Sequence, residues 1–524
     1  VLIILGASVI IGAARFLWRK CLLGFSKRIE KNLRNTLFSH IQQMSASYFN
    51  KTKTGDLMAH GTNDIKHIRM ATGMGIVALT DSILLGSAAI ALMAYINIKL
   101  TLLAIIPMPL IVISARFFSK KMHKHYQIVQ GTFADMTEVV RERFAGIRII
   151  KAYNMEETES KTLEKISNKY IDNNISLIKI TGSLFPLMIF FTNISLTIVL
   201  FFGGSLAIMS TISPGDFVAF ISYLNLLTWP MMAMGWVINL IQRGKASLDR
   251  IAVILNTKPE IFNDKLIIKN DSQNNDIIFK NVTFSYSDEN EAALKNINLE
   301  ILFGKTLGIV GPPGSGKTTL INLIPRIYDA SSGEIFLNTI DIGHLDLNEL
   351  RSSISFMPQE PFLFSGTIRE NITFNQNNIE DSHLQWAIEK ASLEKTIENL
   401  PEGLDTVVGE KGIILSGGQK QRVSLCRALL SNNPILILDD PIIQVDTSTG
   451  SKIIETINSL NKDKTIIITS HRFSAIKNAD QIIVMLDGSI VETGTHKELM
   501  ESDNYYARTY NLQILEEEFN EVFK

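Results

Sequence analysis

The sequence predicts an α-helical transmembrane domain followed by an α/β domain with a phosphate-binding P-loop. Three observations predict this fold class. The first 240 or so residues are far more apolar than the rest of the 524-residue chain, whose overall hydrophobic content is 46%. Residues 311–318 read GPPGSGKT and directly follow the apolar stretch TLGIV. A second apolar stretch, ILIL, leads into two adjacent carboxylates, Asp439 and Asp440.

Composition excludes several other classes of protein. The chain is too long for one typical domain, and a formal net charge of -1 predicts no nucleic-acid partner. Cys21 and Cys426 lie in different predicted domains, which argues against a disulfide framework or a zinc site. The chain begins at Val1 within an apolar stretch, so no signal peptide can be identified and we expect that the natural N-terminus is missing.

Five stretches are long and apolar enough to cross a lipid bilayer as helices, which takes about 20 mostly apolar residues. Because several such stretches occur together, buried helices of a soluble protein are a poor alternative. The predicted spans are Val1–Trp18, Gly73–Ile96, Leu100–Phe118, Ile180–Met209 and Phe217–Ile241.

The distribution of Lys and Arg predicts the orientation of these spans. The first long connection, Arg19–Arg69, carries ten Lys or Arg, and the second, Lys120–Lys179, carries eleven. The short connections carry only Lys99 and, at Ser210–Asp216, no basic residue. The long basic connections are therefore predicted to be cytoplasmic. Their helical periodicity predicts that the membrane helices continue into them, each pair joined by a short turn.

The P-loop predicts that the second half binds ATP with Mg²⁺. Residues 311–318 match G-x-x-x-x-G-K-[ST] in full, between a predicted strand and a predicted helix. The glycines let backbone N–H groups surround phosphate oxygens, Lys317 neutralises the β- and γ-phosphates, and the Thr318 hydroxyl reaches Mg²⁺. The predicted nucleotide-binding residues here are Gly311, Pro312, Pro313, Gly314, Ser315, Gly316, Lys317, Thr318 and Thr319.

The two adjacent carboxylates are predicted to complete this site. An aspartate at a strand end helps to hold the metal in P-loop enzymes, which assigns Asp439 to Mg²⁺. Asp440 is the next residue and is in place to orient the attacking water. We accordingly predict a transmembrane domain at residues 1–245, a linker at 246–275, a nucleotide-binding domain at 276–510 and a C-terminal tail at 511–524.

Three further motifs carry a resemblance to a known family. They are LSGGQKQR at Leu415–Arg422, MPQEPFLF around Gln359 and ITSHR around His471. With the P-loop, they make the chain resemble the ATP-binding cassette (ABC) exporters over nearly its whole length. The resemblance implies a dimer of cassettes with ATP between the P-loop of one and the signature of the other. The signature residues facing the partner's ATP would be Ser416, Gly417, Gly418 and Gln419.

The same resemblance implies roles for three more residues. Gln359 would contact Mg²⁺ and the attacking water, and His471 would bind the γ-phosphate. Tyr286, in FSYS, stands where the family stacks an aromatic ring on adenine, although by itself it is also an ordinary strand tyrosine. Exporter halves of this family have six spans, so the first span is expected to be missing from this chain. Within the family, the sequence is most similar to MdlA-like half-transporters of heterodimeric multidrug exporters.

Asp440 departs from the family, which usually has glutamate there. The aspartate carboxylate is one methylene, about 1.5 Å, closer to the backbone. A misplacement of about 1 Å can cost around a hundredfold in rate. Residues 443–446 also read IQVD where Ser-Ala-Leu-Asp is usual. We therefore predict a weak ATP site here and a different partner chain that supplies a glutamate. The alternative is neutral drift, with the site active through His471.

These features predict ATP-driven export of small molecules across the cytoplasmic membrane, by one half of a dimeric transporter with its nucleotide-binding domain in the cytoplasm. Two alternatives remain open, namely a homodimeric lipid or peptide exporter and an ATP-gated channel or regulatory subunit. The membrane half excludes a soluble cassette ATPase of DNA repair or chromosome structure.

Overall fold

The computed structural model describes residues 2–263, 275–286, 291–374, 379–409, 415–460 and 464–522. The chain forms two compact units. The helical unit comprises Val1–Gln42 and Lys53–Thr257, and the α/β unit comprises Gln43–Thr52 and Lys258–Lys524. Most of the polar stretch at 263–276, within and beside the predicted linker, lies outside the described residues.

The helical unit consists of helices that run through the predicted spans and far into the polar connections. Several are about 40 residues long, and two of the composite helices contain π-helical turns. This confirms the prediction that helices continue beyond the apolar stretches. The helices are Leu2–Gln42, Thr54–Ala59, Ile65–Met70, Ile76–Ile96, Ile98–Ile105, Met108–Ala145, Ile147–Ala152, Glu156–Ile198, Gly204–Ile208 and Pro214–Asn256, with π turns at His60–Asp64, Ala71–Gly75 and Val199–Gly203.

Within the residues that the structure describes, four stretches of helix have the length and composition needed to cross a membrane. They are Leu2–Gln42, Thr54–Ile96, Glu156–Ile208 and Pro214–Asn256, and each contains one predicted span. The remaining predicted span, Leu100–Phe118, falls on a shorter apolar stretch at Ile98–Ile111 that is broken before Met108. Pro107 lies at this break, where the missing N–H of proline suits a helix start better than a helix interior.

A buried carboxylate ties two of these helices together. Asp64 is 5% exposed and accepts hydrogen bonds from both ends of the Arg250 guanidinium, one of them at 3.0 Å. Ser247 donates to the same carboxylate at 2.8 Å, and His60 lies 2.7 Å from it. Helices 54–96 and 214–256 are therefore joined by a multiply bonded ion pair, which is the arrangement a buried charge requires.

The α/β unit is built on a six-stranded sheet and a four-stranded antiparallel sheet. The larger sheet has the order β12-β11-β3-β10-β9-β6, in which only the edge strand β12 is antiparallel to its neighbour. The smaller has the order β2-β1-β4-β5, and β7 pairs with β8. The strands are β1 Ile277–Phe284, β2 Leu294–Ile301, β3 Thr306–Val310, β4 Ser332–Leu337, β5 Ile340–Asp341, β6 Ile354–Met357, β7 Gly366–Thr367, β8 Val407–Val408, β9 Ile435–Asp439, β10 Thr465–Thr469, β11 Gln481–Leu486 and β12 Ser489–Gly494.

Helices cover both faces of the larger sheet, which explains its continuous apolar strands. In β9, Leu436 and Leu438 belong to one hydrophobic core while Ile435 and Ile437 belong to the other. A parallel strand buried on both faces has no polar side, as ILIL predicts. The helices of this unit are Ala46–Lys51, Lys317–Leu323, Leu347–Ser352, Ile368–Thr373, Asp381–Lys390, Glu394–Glu398, Gly417–Leu430, Thr447–Ser459, His496–Glu501 and Tyr505–Val522, with 3₁₀ turns at Ile342–His344, Gly403–Asp405 and Phe473–Ala475.

Candidate functional site

A cavity of about 390 Å³ opens beyond the carboxyl ends of the parallel strands β3, β9 and β10. Ligands of open α/β sheets bind at this edge because loops from several strands converge there. The cavity brings together most of the residues predicted from the sequence. Its lining is Tyr286, Ala293, Pro313, Gly314, Gly316, Lys317, Thr318, Thr319, Gln359, Asp439, Asp440, Thr469 and His471.

The P-loop joins β3 to the helix Lys317–Leu323, as predicted. Gly314 and Gly316 adopt positive φ angles of 82° and 96°, which side chains with a Cβ rarely tolerate. A Cβ on Gly316 would also lie 2.8 Å from the carbonyl oxygen of Ala293. The Lys317 ammonium donates to the Gly311 and Pro312 carbonyls at 2.8 and 2.9 Å. Burial lowers the pKa of Lys317, against the opposing effect of Asp440 and Asp439.

The remaining loop residues lie outside the cavity wall. Gly311, Pro312 and Ser315 contribute backbone to the loop but do not line the cavity. The Ser315 hydroxyl is buried and has no hydrogen-bond partner among the described residues. Such an orphaned polar group within a glycine-rich loop fits a loop that surrounds an anion.

Oxygen donors suited to Mg²⁺ lie together on one wall of the cavity. The Thr318 hydroxyl donates to one oxygen of Asp439 at 2.9 Å, and Thr469 donates to the other. Gln359 follows strand β6 and lines the same cavity. Mg²⁺ prefers hydroxyl, carboxylate and carbonyl oxygens, so this donor set fits the ion.

Hydrogen bonds fix the backbone of Asp440, whereas only one of its two carboxylate oxygens accepts a hydrogen bond from a described residue. Its N–H donates to the Thr469 carbonyl at 3.0 Å, and its own carbonyl accepts from the Gln421 amide at 2.7 Å. Its φ angle of 52° lies in the left-handed region, which Asp tolerates better than most residues. One carboxylate oxygen accepts from Ser470 at 3.3 Å.

The other carboxylate oxygen of Asp440 is buried without a hydrogen-bond partner among the described residues. The His471 imidazole lies beside this oxygen, with its Nε2 3.9 Å away. Burial raises the pKa of Asp440, although His471 and the hydrogen bond from Ser470 lower it in part. The free oxygen, beside His471, is a proton acceptor with nothing to accept from.

Tyr286 lies at the other end of the cavity in an aromatic cluster. Its ring meets Phe284 edge-to-face at 4.9 Å and Tyr328 at 5.3 Å, and its hydroxyl lies 2.9 Å from that of Thr319. The Tyr328 hydroxyl in turn accepts a 2.9 Å hydrogen bond from Asn50, on the short helix Ala46–Lys51. Tyr286 is 43% exposed and lines the cavity, which places an aromatic side chain where a planar ligand could reach it.

The signature residues do not line this cavity. Ser416 caps the helix Gly417–Leu430, and its N–H donates to the Gln419 side chain at 2.8 Å in a capping box. A Cβ added to Gly417 would collide with the Gln444 side chain, and one added to Gly418 with the Gln444 backbone. The structure thus places the P-loop and the signature of this chain at separate positions.

Three residues that touch the site were not predicted from the sequence, namely Ala293, which lines the cavity, Thr469 and Gln421. Thr469 ends β10 and binds both Asp439 and the Asp440 backbone. Gln421, buried in the signature helix, donates to the Asp440 carbonyl and accepts from the Gln444 N–H at 3.0 Å. Both residues lie within the quoted motifs, Thr469 in ITSHR and Gln421 in LSGGQKQR, but the motifs gave neither of them a role.

Family models and known proteins give a consistent assignment. A model described as the ABC transporter transmembrane region matches residues 1–231, and one described as ABC transporter matches residues 294–443. The chain is 38% identical over 519 residues to the multidrug resistance-like ATP-binding protein MdlA of Buchnera aphidicola subsp. Baizongia pistaciae, covering 98% of this chain and 89% of that one. It is 34% identical over 495 residues to the ATP-dependent lipid A-core flippase of Syntrophus aciditrophicus, covering 94% and 82%.

A solved structure supports the same fold. An ATP-bound bacterial Atm1-family ABC exporter superposes with a TM-score of 0.78 at 24% identity, covering 93% of this chain and 86% of that one. The two family matches follow the order of the structure, with the transmembrane match on the helical unit and the second match on the α/β unit. The chain therefore belongs to the ABC exporters, which couple a helical transmembrane domain to an ATP-hydrolysing nucleotide-binding domain.

Proposed function

We propose that this chain is one half of a heterodimeric exporter of small molecules, in which its own ATP site is weak and its signature completes the partner's site. The observation that carries the proposal is the environment of Asp440. It lines the cavity in the position where the family usually has glutamate. Its free oxygen is buried close to the strand end, 3.9 Å from His471.

A glutamate would carry its carboxylate about 1.5 Å farther from the backbone. The Asp440 backbone is fixed on one side by Thr469 and on the other by Gln421, so the main chain has little freedom to move the shorter side chain outward. The acid can therefore accept a proton, but its carboxylate lies closer to the backbone than that of a glutamate would. This favours slow hydrolysis at this site over loss of nucleotide binding.

The signature provides the second line of support. Its capping box is complete, and its residues do not line the cavity of their own chain. A signature that does not serve its own P-loop has a use only across a dimer. The proposed partner supplies a glutamate, and its ATP is bound between its own P-loop and Ser416, Gly417, Gly418 and Gln419 of this chain.

Within this chain's site, each residue has a proposed role in binding or hydrolysis. Lys317 and the P-loop N–H groups hold the phosphates, Tyr286 stacks on adenine, and His471 contacts the γ-phosphate. Thr318, Gln359 and Asp439 would hold Mg²⁺, which when bound supplies charge neutralisation of the phosphate oxygens. Asp440 would accept the proton of the attacking water, though poorly.

Small molecules are the proposed cargo because the MdlA relative is named for multidrug resistance. The lipid A-core flippase relative supports a second candidate, namely lipid translocation. In both cases we place the transporter in the cytoplasmic membrane with the α/β unit in the cytoplasm. The basic connections between the predicted spans support this orientation.

Co-purification tests the proposal. This chain, carrying an affinity tag, is isolated from native membranes and its partner is sequenced. We expect a second ABC half-transporter with glutamate after its metal-binding aspartate. A homodimer with full ATP turnover would contradict the proposal.

Reconstituted vesicles then distinguish the cargo classes. ATP-dependent accumulation of a hydrophobic cationic dye against its gradient supports small-molecule export. Movement of a fluorescent lipid alone supports lipid translocation. Dye movement that only follows the gradient would support an ATP-gated channel instead.

A further inference from the structure

Hydrogen bonds to the core of the α/β unit hold the first residue of the segment that carries His471. We call residues 470–473 the histidine segment. The Ser470 N–H donates to the Ile309 carbonyl at 3.2 Å, and its hydroxyl donates to Asp440 at 3.3 Å. The Ser470 hydroxyl also accepts a 3.0 Å hydrogen bond from the Arg472 N–H. The His471 carbonyl and the Phe473 N–H take no part in these bonds.

A side chain from the C-terminal helix Tyr505–Val522 holds the rest. The Gln513 Nε2 donates to the His471 carbonyl at 3.2 Å, and its Oε1 accepts from the Phe473 N–H at 2.9 Å. One amide therefore satisfies a backbone acceptor and a backbone donor on either side of Arg472. This pairing resembles the double hydrogen bond between neighbouring strands and fixes the peptide orientation at His471.

Aromatic packing fixes the helix that presents Gln513. Phe473 is 2% exposed and meets Tyr506 edge-to-face at 5.0 Å and Tyr510 at 5.8 Å. The Tyr506 hydroxyl lies 2.8 Å from Nδ1 of His496, which anchors the start of the helix. Since both the helix and the segment are packed around Phe473, the Gln513 amide has a fixed position beside the backbone of residues 471–473.

We propose that Gln513 is a positioning residue for His471, so that the C-terminal helix sets the direction of the imidazole that faces the nucleotide cavity. The inference rests on the proposed contact between His471 and the γ-phosphate. It assigns a role in the ATP site to a residue that the sequence places in the C-terminal tail. Gln513 itself does not line the cavity.

The competing explanation is that Gln513 only attaches the helix to the domain. The two explanations predict different effects on nucleotides with and without a γ-phosphate. If Gln513 acts through His471, its loss weakens the binding of ATP, which has a γ-phosphate, and spares ADP. If it only attaches the helix, ATP and ADP are affected equally or not at all.

The experiment uses the complete transporter complex in detergent. This chain is photolabelled with an azido-ATP analogue, and ATP or ADP is added to protect it. With Gln513→Leu, we expect the ATP concentration for half-protection to rise about three- to tenfold, as the loss of one or two hydrogen bonds implies, with ADP unchanged. The matched control is Asn511→Leu, an exposed position on the same helix, which should change neither. Because the readout is binding, it does not depend on how fast this site turns over.

Gln513→Glu provides a second variant of the same shape. Its ionised carboxylate still accepts from the Phe473 N–H but cannot donate to the His471 carbonyl. We expect the selective loss of ATP protection near neutral pH and recovery relative to wild type as the pH is lowered toward the carboxyl pKa, about 4.3 in model peptides. Gln513→Leu should show no such recovery.

His471→Ala tests the proposed contact between His471 and the γ-phosphate separately from the positioning role of Gln513. A selective loss of ATP protection in His471→Ala, without one in the Gln513 variants, overturns the positioning role alone. No selective loss in His471→Ala overturns the proposed role of the histidine and the inference with it. Equal weakening of ATP and ADP by Gln513→Leu would show a purely structural contact.

Discussion

Neutralising Asp440 should leave ATP turnover by the complete transporter almost unchanged. The Asp440 carboxylate falls about 1.5 Å short of the position that a glutamate carboxylate would reach. Because a misplacement of about 1 Å can lower a rate around a hundredfold, we expect hydrolysis at this site to be at least that much slower. With a competent glutamate at the other site, the Asp440 site then contributes on the order of one part in a hundred of total turnover. Asp440→Asn can remove no more than that share.

The assay is steady-state phosphate release by the purified complex with each acid neutralised in turn. Asp440→Asn should lie within error of wild type, while exchange of the partner's glutamate for glutamine should abolish nearly all turnover. A gain of activity in Asp440→Glu is not required, because residues 443–445 also differ from the family. Equal losses from the two neutralisations would refute the asymmetry and show that Asp440 is a competent base.

Three further outcomes follow from contacts described above. Lys317→Ala should raise the nucleotide concentration needed to photolabel this chain at least tenfold, since its ammonium is the loop's own cation; unchanged labelling at low nucleotide would reject the assignment. Gly417→Asp should stop turnover by the complex because it places a negative charge beside the partner's γ-phosphate, whereas Gly417→Ala, which meets the same neighbouring side chain, should cost less; near-normal hydrolysis in the aspartate variant would contradict the shared site. Arg250→Ala should lower the stability of the helical unit by about 3 kcal/mol, because it strands the buried Asp64 carboxylate; thermal unfolding in detergent measures this, with the exposed Arg243→Ala as control, and equal melting of the two variants would count against it.

The sequence predicted those parts of the site that lie on one continuous stretch. The P-loop from Gly311 to Thr318 and the acid at the end of β9 were predicted because their spacing and burial are local. Gln421 and Gln513 were missed because each acts on backbone groups distant in sequence, 19 residues away at Asp440 and 42 at His471. Any polar residue on a helix has the same local pattern, so no periodicity marks such contacts.

The membrane half shows the same division between local and long-range information. Apolar length predicted five spans, four of which fall on described helices that are long and apolar enough to cross a membrane, and charge gave their expected direction. The break before Met108 was not predicted, although Pro107 was a visible signal for it. The assignment of residues 43–52 to the α/β unit depends on tertiary contacts such as Asn50 to Tyr328, which no sequence pattern announces.

The ion pair between Asp64 and Arg250 also affects the order in which the helices can pack as the chain is synthesised. The two residues are 186 positions apart, so the carboxylate leaves the ribosome long before the guanidinium that neutralises it. Until helix 214–256 is complete, helix 54–96 carries an acid that packing would bury without a cation, and early closure of the bundle is correspondingly costly. A chain that stops short of Arg250 keeps the His60 contact but lacks the guanidinium that neutralises Asp64, so burial of this carboxylate becomes favourable only when helix 214–256 is complete.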